Sequence, residues 1–521
     1  MKKGREESDG REVPEGRRKP VPTAVRRGGK ATTASQEADQ LGLFVETADS
    51  PQGTAVEELT GQPARKRRAA PKSASTPRTD LPTMTMEEVA SEENLRSAFE
   101  EVAKNDGAPG ADGQSIEQVR ERLDAVLFRL HRDLLTGNYR PGRNRRVMIP
   151  KAGGGERGLG IPDVVDRVVQ QAVQRVLSPH YEPTFHESSH GFRPGRSCHT
   201  AIAEAKRYLE EGYEWVVDLD LEKFFDRVHH QRLVARLEER VKDRRLINLI
   251  WQMLKAKVVM PEGVVVATEE GVPQGGPLSP LLSNIVLDEL DKELGRRGHR
   301  FVRYADDSNI YVSSERAGHR VMASVVRFIE GRLRLKVNRS KSAVARPEER
   351  HFVGFSLRRE AKDGAVEVVI SKRTQDRIDA KIYELTPRTW GQSFNGCIRR
   401  LNAYLRGWIE FFGRSCTKQI VRPLHTMDAH IRRRLRALLL KQWKRKRFIA
   451  RRLVRMGARA KTVWRVVYEG RKSTWALSHC GPVDHALDRA FFARCGLLSL
   501  ELHYSEMHRV VVPAQLSLSL G

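Results

Sequence analysis

Residues Phe301-Val302-Arg303-Tyr304-Ala305-Asp306-Asp307-Ser308-Asn309-Ile310-Tyr311-Val312 place two adjacent carboxylates in a short polar break between two apolar, aromatic-rich runs. The pattern predicts a β-hairpin with the acidic pair at its tip. Aspartate is common at such tips for backbone reasons, so the pair alone reads first as a solvated turn. The sharper reading is a site for hard divalent cations. Phosphoryl transfer by two such ions held roughly 4 Å apart needs carboxylate oxygens, and a third acid must come from elsewhere in the chain.

A source for that acid lies upstream, in Glu214-Trp215-Val216-Val217-Asp218-Leu219-Asp220-Leu221-Glu222-Lys223-Phe224-Phe225-Asp226. The β-branched run predicts a buried strand, and period two puts Val216, Asp218 and Asp220 on one face. A carboxylate at the end of such a strand is costly unless paired or metal-bound. Asp220 or Asp218, with Asp306 and Asp307, would supply an anionic cage for two Mg²⁺ ions.

On these two motifs the chain resembles reverse transcriptases, and in particular the group II intron-encoded reverse transcriptase/maturase family. Other blocks follow in that family's order: Asn94 to Gly113, Val147 to Lys151 through Gly160-Ile161-Pro162, and His190 to Ser197. Then come Gly271-Val272-Pro273-Gln274-Gly275-Gly276-Pro277-Leu278-Ser279-Pro280, Leu335 to Lys341, and Phe352-Val353-Gly354-Phe355. Leu401 to Phe412 resembles the family's maturase domain, and its stripe of Leu401, Tyr404, Leu405, Trp408 and Phe412 is first of all an ordinary amphipathic core pattern.

The resemblance implies roles. Asp220, Asp306 and Asp307 would be the catalytic metal ligands, with Asp218 a neighbour paired to Arg or Lys. Lys151 and Arg157, flanking Gly153-Gly154-Gly155, would bind the phosphates of the incoming nucleotide. The family usually has proline after that arginine; here it is Gly158, which implies a looser loop. Phe225 would exclude a ribose 2′-hydroxyl, Gln274 would close over the nascent base pair, and Lys341 would approach the phosphates, where a general-acid role is chemically sensible. The plain alternatives are a core phenylalanine for Phe225 and a surface lysine for Lys341. Phe352 to Phe355 would approach the primer end, with Gly354 admitting backbone.

Composition agrees independently. The chain has 93 Lys+Arg against 66 Asp+Glu and a formal net charge of +27, the footprint of a polyanion binder. From Val421 to Cys480 there are eighteen Lys/Arg and two acids, so this stretch supplies more than half of the excess. Its clusters, Arg432-Arg433-Arg434, Lys444 to Arg447 and Arg451-Arg452, alternate with Leu438, Leu439, Trp443, Phe448 and Leu453. That reads as basic helices that follow phosphates while packing one apolar side. The five cysteines form no CxxC pair, and His425, His430, His479 and His485 show no pattern of the HNH endonuclease that ends many relatives. No apolar run approaches the roughly 18 residues of a membrane span and no signal core is seen, so a cytoplasmic location is expected.

Residues 1 to 82, rich in Gly, Pro, Ser and charge with Arg65-Lys66-Arg67-Arg68 inside, read as a disordered basic tail. Capping-box spacings at Thr85/Glu88 and Ser115/Gln118 open two predicted helices, the second running through Leu134 and closed by Gly137. The expected fold is α+β: a right-hand polymerase whose fingers and palm (83–360) carry antiparallel sheet, then a helical thumb/maturase domain (361–420) and a basic helical nucleic-acid-binding region (421–521). The resemblance implies an RNA-directed DNA polymerase that takes dNTPs, an RNA template and a DNA primer or target. It also implies a maturase that binds group II intron RNA for splicing and mobility. Two alternatives stay open: a splicing cofactor with dispensable polymerase, or a domesticated enzyme in a retron or CRISPR-associated defence system.

Overall fold

The computed structural model describes residues 84–150, 156–360, 364–387, 391, 393–470 and 473–509. The expected N-terminal tail, Lys151 and the Gly153–Gly155 run lie outside the described residues. Ser91 divides the first predicted helix in two. Thr85 caps α1 (Met86–Ala90) by accepting from the Glu88 amide, and Ser91 caps α2 (Glu92–Lys104), whose Leu95, Ala98, Phe99 and Val102 enter the core. The Ser115–Gln118 capping box forms in both directions. The helix it opens, α3 (Ile116–Arg120), stops early, and α4 (Leu123–Leu135) continues the apolar face with Leu127, Leu130 and Leu134. The apolar spacing runs through this break unaltered, which is why the sequence does not mark it. Gly137, at φ +71°, follows the end of α4.

Next come β1 (Asn144–Pro150), β2 (Glu156–Ile161), α5 (Val164–Tyr181), α6 (Cys198–Glu210), β3 (Trp215–Leu219), α7 (His230–Glu238), α8 (Arg244–Leu254), β4 (Val258–Val259) and β5 (Val265–Val266). One sheet has the order β2-β1-β4-β5. Its β1–β2 and β4–β5 pairs are antiparallel, but β1 and β4 run parallel, so this sheet is mixed rather than wholly antiparallel as expected. The long excursion between these strands permits it, since parallel pairing needs a crossover. Gly158 lies within β2, opposite Met148, rather than in a loosened loop. A side chain there would collide with the Arg146 guanidinium, which reaches to 3.8 Å from Asp226.

The chain continues through α9 (Ser279–Arg296), β6 (Arg300–Tyr304), β7 (Asp307–Val312), α10 (Glu315–Phe328) and β8 (Ala343–Ala345), and β6, β7 and β8 join β3 in a second sheet. The strand order is β6-β7-β3-β8, all antiparallel. The predicted hairpin forms with Tyr304 opposite Asp307 and a two-residue turn between them. Val217, Leu219, Ile310 and Val312 enter the main core on one face, and Tyr208 of α6 meets Tyr311 on the other, ring centroids 5.5 Å apart.

A hairpin of β9 (Phe355–Arg359) and β10 (Val366–Ile370) leads into α11 (Lys372–Leu385), α12 (Phe394–Ser415), α13 (Val421–Gln442), α14 (Lys446–Arg455) and α15 (Ala460–Tyr468). Phe355 lies 5.3 Å from Phe412 and 6.2 Å from Phe411 of α12, joining hairpin and helix by aromatic packing. What approaches Gly354 here is the Phe412 ring, 3.1 Å from where a Cβ would stand. Part of the basic region also departs from expectation. Arg434 and Arg436 are buried: Arg434 bonds Thr386 and stacks on Tyr383, while Arg436 bonds the Leu487 carbonyl and Asp484. Guanidiniums satisfied inside the fold do not follow phosphates. Among the described residues no helix is long and apolar enough to cross a membrane.

Candidate active site

The register of the β6-β7-β3-β8 sheet decides which acids meet. Asp218 pairs with Asn309 and Leu219 with Ser308. One step further along the two strands stand Asp220 and Asp307, with Asp306 in the adjoining turn. Period two therefore puts Asp218, Asp220 and Asp307 on one face, at the end where the hairpin tip projects. Asp218 is engaged by Arg350, which holds it with Nε at 2.8 Å and with a second, Nη2, bond. The arginine pairing expected for Asp218 is present, and Asp220 is the acid left facing the tip. The Asp220 backbone is fixed by Ser342 Oγ, 3.0 Å from its amide nitrogen, and by the Asn338 amide donating to its carbonyl at 2.8 Å.

Crowded negative charge marks the site. Burial raises the Asp306 carboxyl above the ordinary range, with Arg157 and Arg303 opposing the rise and Asp220 adding to it. Asp307 is open to solvent at its surface but backed by dense protein. That desolvation, with Asp306, Asp218 and Asp220 nearby, pushes it up to about 8, and Lys341 opposes the rise. Lys341 Nζ lies 3.7 Å from Asp220 Oδ2, so the lysine reaches the acids from an exposed position.

The mixed sheet contributes Arg157 from β2, whose Nε donates to Gln274 Oε1 at 2.7 Å. The Gly160 amide donates to the Gln274 carbonyl at 2.8 Å, and Gly275, at φ +125°, lies against the Gly160 carbonyl. Phe225 is 8% exposed, and its carbonyl accepts from the Val272 amide at 2.7 Å. Thus Asp220, Asp306, Asp307 and Lys341 meet at the sheet end, while Arg157 and Gln274 form a second pair whose guanidinium is felt at Asp306. Phe225 is laced to the segment that carries Gln274. Lys151 lies outside the described residues.

Sequence reasoning missed the support beneath the tip. Arg303 and Asp291 are 1% and 0% exposed. Arg303 donates to Asp291 Oδ1 at 2.8 Å and Oδ2 at 2.5 Å, to Asn284 Oδ1 at 3.1 Å, to Ser189 Oγ at 2.6 Å and to the Ala305 carbonyl at 2.8 Å. The guanidinium thereby ties α9 and the Ser189 segment to the first turn residue, Ala305, which sits at φ +56°. Gly191 completes the cradle: a Cβ there would stand 2.2 Å from the Ala305 amide nitrogen and 3.0 Å from the Tyr304 carbonyl carbon. The signal was legible in principle, because a charged residue in a buried strand and another in a core helix imply a mutual pair.

Residues 149–357 match the family model "Reverse transcriptase (RNA-dependent DNA polymerase)" and residues 375–457 match "Group II intron, maturase-specific domain". YkfC of Escherichia coli K12 is 34% identical over 334 residues, 56% of this chain and 87% of that protein. The group II intron-encoded protein LtrA of Lactococcus lactis subsp. cremoris is 40% identical over 183 residues, 35% of this chain and 29% of LtrA. Among solved structures, a telomerase chain from Candida albicans aligns at 13% identity and a TM-score of 0.35, covering 64% of this chain and 65% of that one. The chain belongs to the group II intron-encoded reverse transcriptase/maturase family, with an RNA-dependent DNA polymerase domain.

The polymerase family implies a divalent metal. Among the described residues no three His, Cys, Asp or Glu side chains are close enough together to enclose an ion, so the acids are gathered but not closed into a cage. In kind they fit: carboxylate oxygens are hard donors, and a bound cation would offset the burial and the neighbouring negative charge that raise Asp306 and Asp307.

Proposed function

We propose that the chain copies RNA into DNA at the junction of β3 and the β6–β7 tip, with Asp220, Asp306 and Asp307 as the ligands of two Mg²⁺ ions. The observation that carries this reading is the register that sets Asp220 beside Asp307, in a segment matching reverse transcriptases. Bound Mg²⁺ would supply activation of the primer hydroxyl and charge neutralisation at the triphosphate. The primer 3′-oxygen bonds to the dNTP α-phosphorus, the bond to the bridging oxygen breaks, and pyrophosphate leaves. Lys151, Arg157 and Lys341 hold the triphosphate. Lys341 is also placed to give the departing pyrophosphate a proton. Phe225 selects against a 2′-hydroxyl, and Gln274 positions Arg157 while lining the nascent pair.

In the same reading the chain divides into fingers and palm to residue 360, thumb/maturase from 361 to 420, and a basic nucleic-acid-binding region from 421. The latter two grip template-primer and group II intron RNA, assisting splicing and mobility while the intron supplies its own nucleophile. The match over residues 375–457 supports this second role. The test is dNTP incorporation on an RNA template annealed to a DNA primer, with Mg²⁺ varied, comparing the parent with Asp306→Asn and Asp307→Asn. Mg²⁺-dependent extension lost in both variants is expected. A folded, RNA-binding parent that extends nothing would overturn the catalytic role and leave the splicing cofactor.

A further inference from the structure

The α14–α15 pair presents a surface that the polymerase site does not use. Val463 and Val467 are buried and fix the rotational phase of α15. Residues 461, 464, 465 and 468, spaced as one helix face, therefore point outward, and they are Lys, Trp, Arg and Tyr. A core stripe would hide such rings, yet Trp464 is 38% and Tyr468 49% exposed. The rings stack on each other at 5.6 Å and 26°, which leaves an extended π surface toward solvent. Lys446, at the start of α14, holds its Nζ 5.7 Å from the Tyr468 centroid and donates to the Gly470 carbonyl at 3.3 Å. On α14 itself Phe448 is 44% exposed, with the Arg452 guanidinium 4.5 Å from its centroid. From Lys441 to Tyr468 the chain carries eleven Lys/Arg, all exposed, and not one acid.

We propose that this surface is a stacking site for unpaired bases of RNA, with Trp464 and Tyr468 as the platform and the surrounding cations on the flanking phosphates. The proposal deepens the reading above, that the C-terminal region binds nucleic acid, and rests on it. Cations alone would take any polyanion. Exposed aromatic faces add a demand for bases that are free to leave their own stack, which duplex bases are not. RNA is the strand assigned because the platform directly follows the maturase-specific segment, which ends at residue 457.

The test uses the full chain and a single-stranded RNA of about 12 nucleotides carrying 4-thiouridine, a length within the usual single-strand site sizes. Photocrosslinks are mapped by mass spectrometry, and affinities for single-stranded and blunt duplex RNA are measured by fluorescence anisotropy. Crosslinks are expected within Lys461–Tyr468, competed by unlabelled single-stranded RNA and not by duplex. Trp464→Leu/Tyr468→Leu is expected to weaken single-strand binding about tenfold or more, with duplex binding held within about twofold. Unchanged single-strand affinity without crosslinks in this segment would overturn the proposal, as would an equal loss for duplex. Single-stranded DNA competing as well as RNA would overturn the assignment to RNA. A parent that binds neither form would instead refute the underlying nucleic-acid reading.

Discussion

Replacing Asp291 with Asn tests whether the buried pair beneath the hairpin sets the active-site geometry. Asp291 gives Arg303 two charge-assisted bonds, at 2.8 and 2.5 Å, where both side chains are essentially inaccessible. Asn keeps the shape and one acceptor but leaves a buried guanidinium without its counter-charge, a loss of about 3–5 kcal/mol. At roughly 1.4 kcal/mol per decade, protection of the β6 and β7 amides against hydrogen exchange should fall by about two to three and a half orders of magnitude. Primer extension should fall with it. The double variant Arg303→Met/Asp291→Leu removes both charges, and replacing a buried pair with apolar side chains is often neutral or stabilising. Here Asn284, Ser189 and the Ala305 carbonyl would lose their donor, so stability should return only in part. Polymerisation should stay low, because the Ala305 carbonyl has lost its anchor. A protection loss below about 1 kcal/mol in Asp291→Asn would refute the energetic argument. A double variant extending primers at the parent rate would refute the positioning role.

Gly191→Ala should push the hairpin tip by the order of 1 Å and lower turnover by about a hundredfold, with circular dichroism unchanged; normal single-turnover kinetics would show that the tip tolerates the methyl. Asp220→Asn should abolish extension. Asp218→Asn, which strips Arg350 of its carboxylate, should cost about 1–3 kcal/mol of stability and far less activity, as read by melting and primer extension. Gln274→Ala should raise the KM for dNTP because Arg157 loses its 2.7 Å acceptor, and an unmoved KM would argue against that positioning. Burial, aided by Asp163, raises Asp166 to about 6 despite bonds from Tyr139 and Gly142. A carboxyl whose folded pKa lies above its unfolded value loses stability as pH rises from about 4 to 6, here about 3 kcal/mol in all. The stability of Asp166→Asn relative to the parent should therefore climb across that window, and a flat difference would contradict the shift.

Much of this site was legible in the sequence, for a local reason. Hairpin and strand both follow from short-range alternation, and period two alone placed Asp218 and Asp220 on one face. The family's spacing favoured Asp220, and the structure supplies the physical complement by committing Asp218 to Arg350, 132 residues away. The basic C-terminal region was visible as charge, but its division into buried and exposed arginines was not. Arg434 and Lys461 look alike in a composition count, whereas one is enclosed by Thr386 and Tyr383 and the other faces solvent.

The sequence by itself determined the acid-tipped hairpin, the strand that carries Asp218 and Asp220, and a basic charge suited to nucleic acid, because periodicity, turn chemistry and net charge are properties of neighbours along the chain. Only the tertiary structure decided the parallel β1–β4 pairing, the Arg303–Asp291 cradle, the Arg157–Gln274 contact and the outward turn of Trp464 and Tyr468. Each depends on which distant surfaces meet: a buried charge is tolerated where a partner from another element satisfies it, and a helix face is set by what its opposite face packs against.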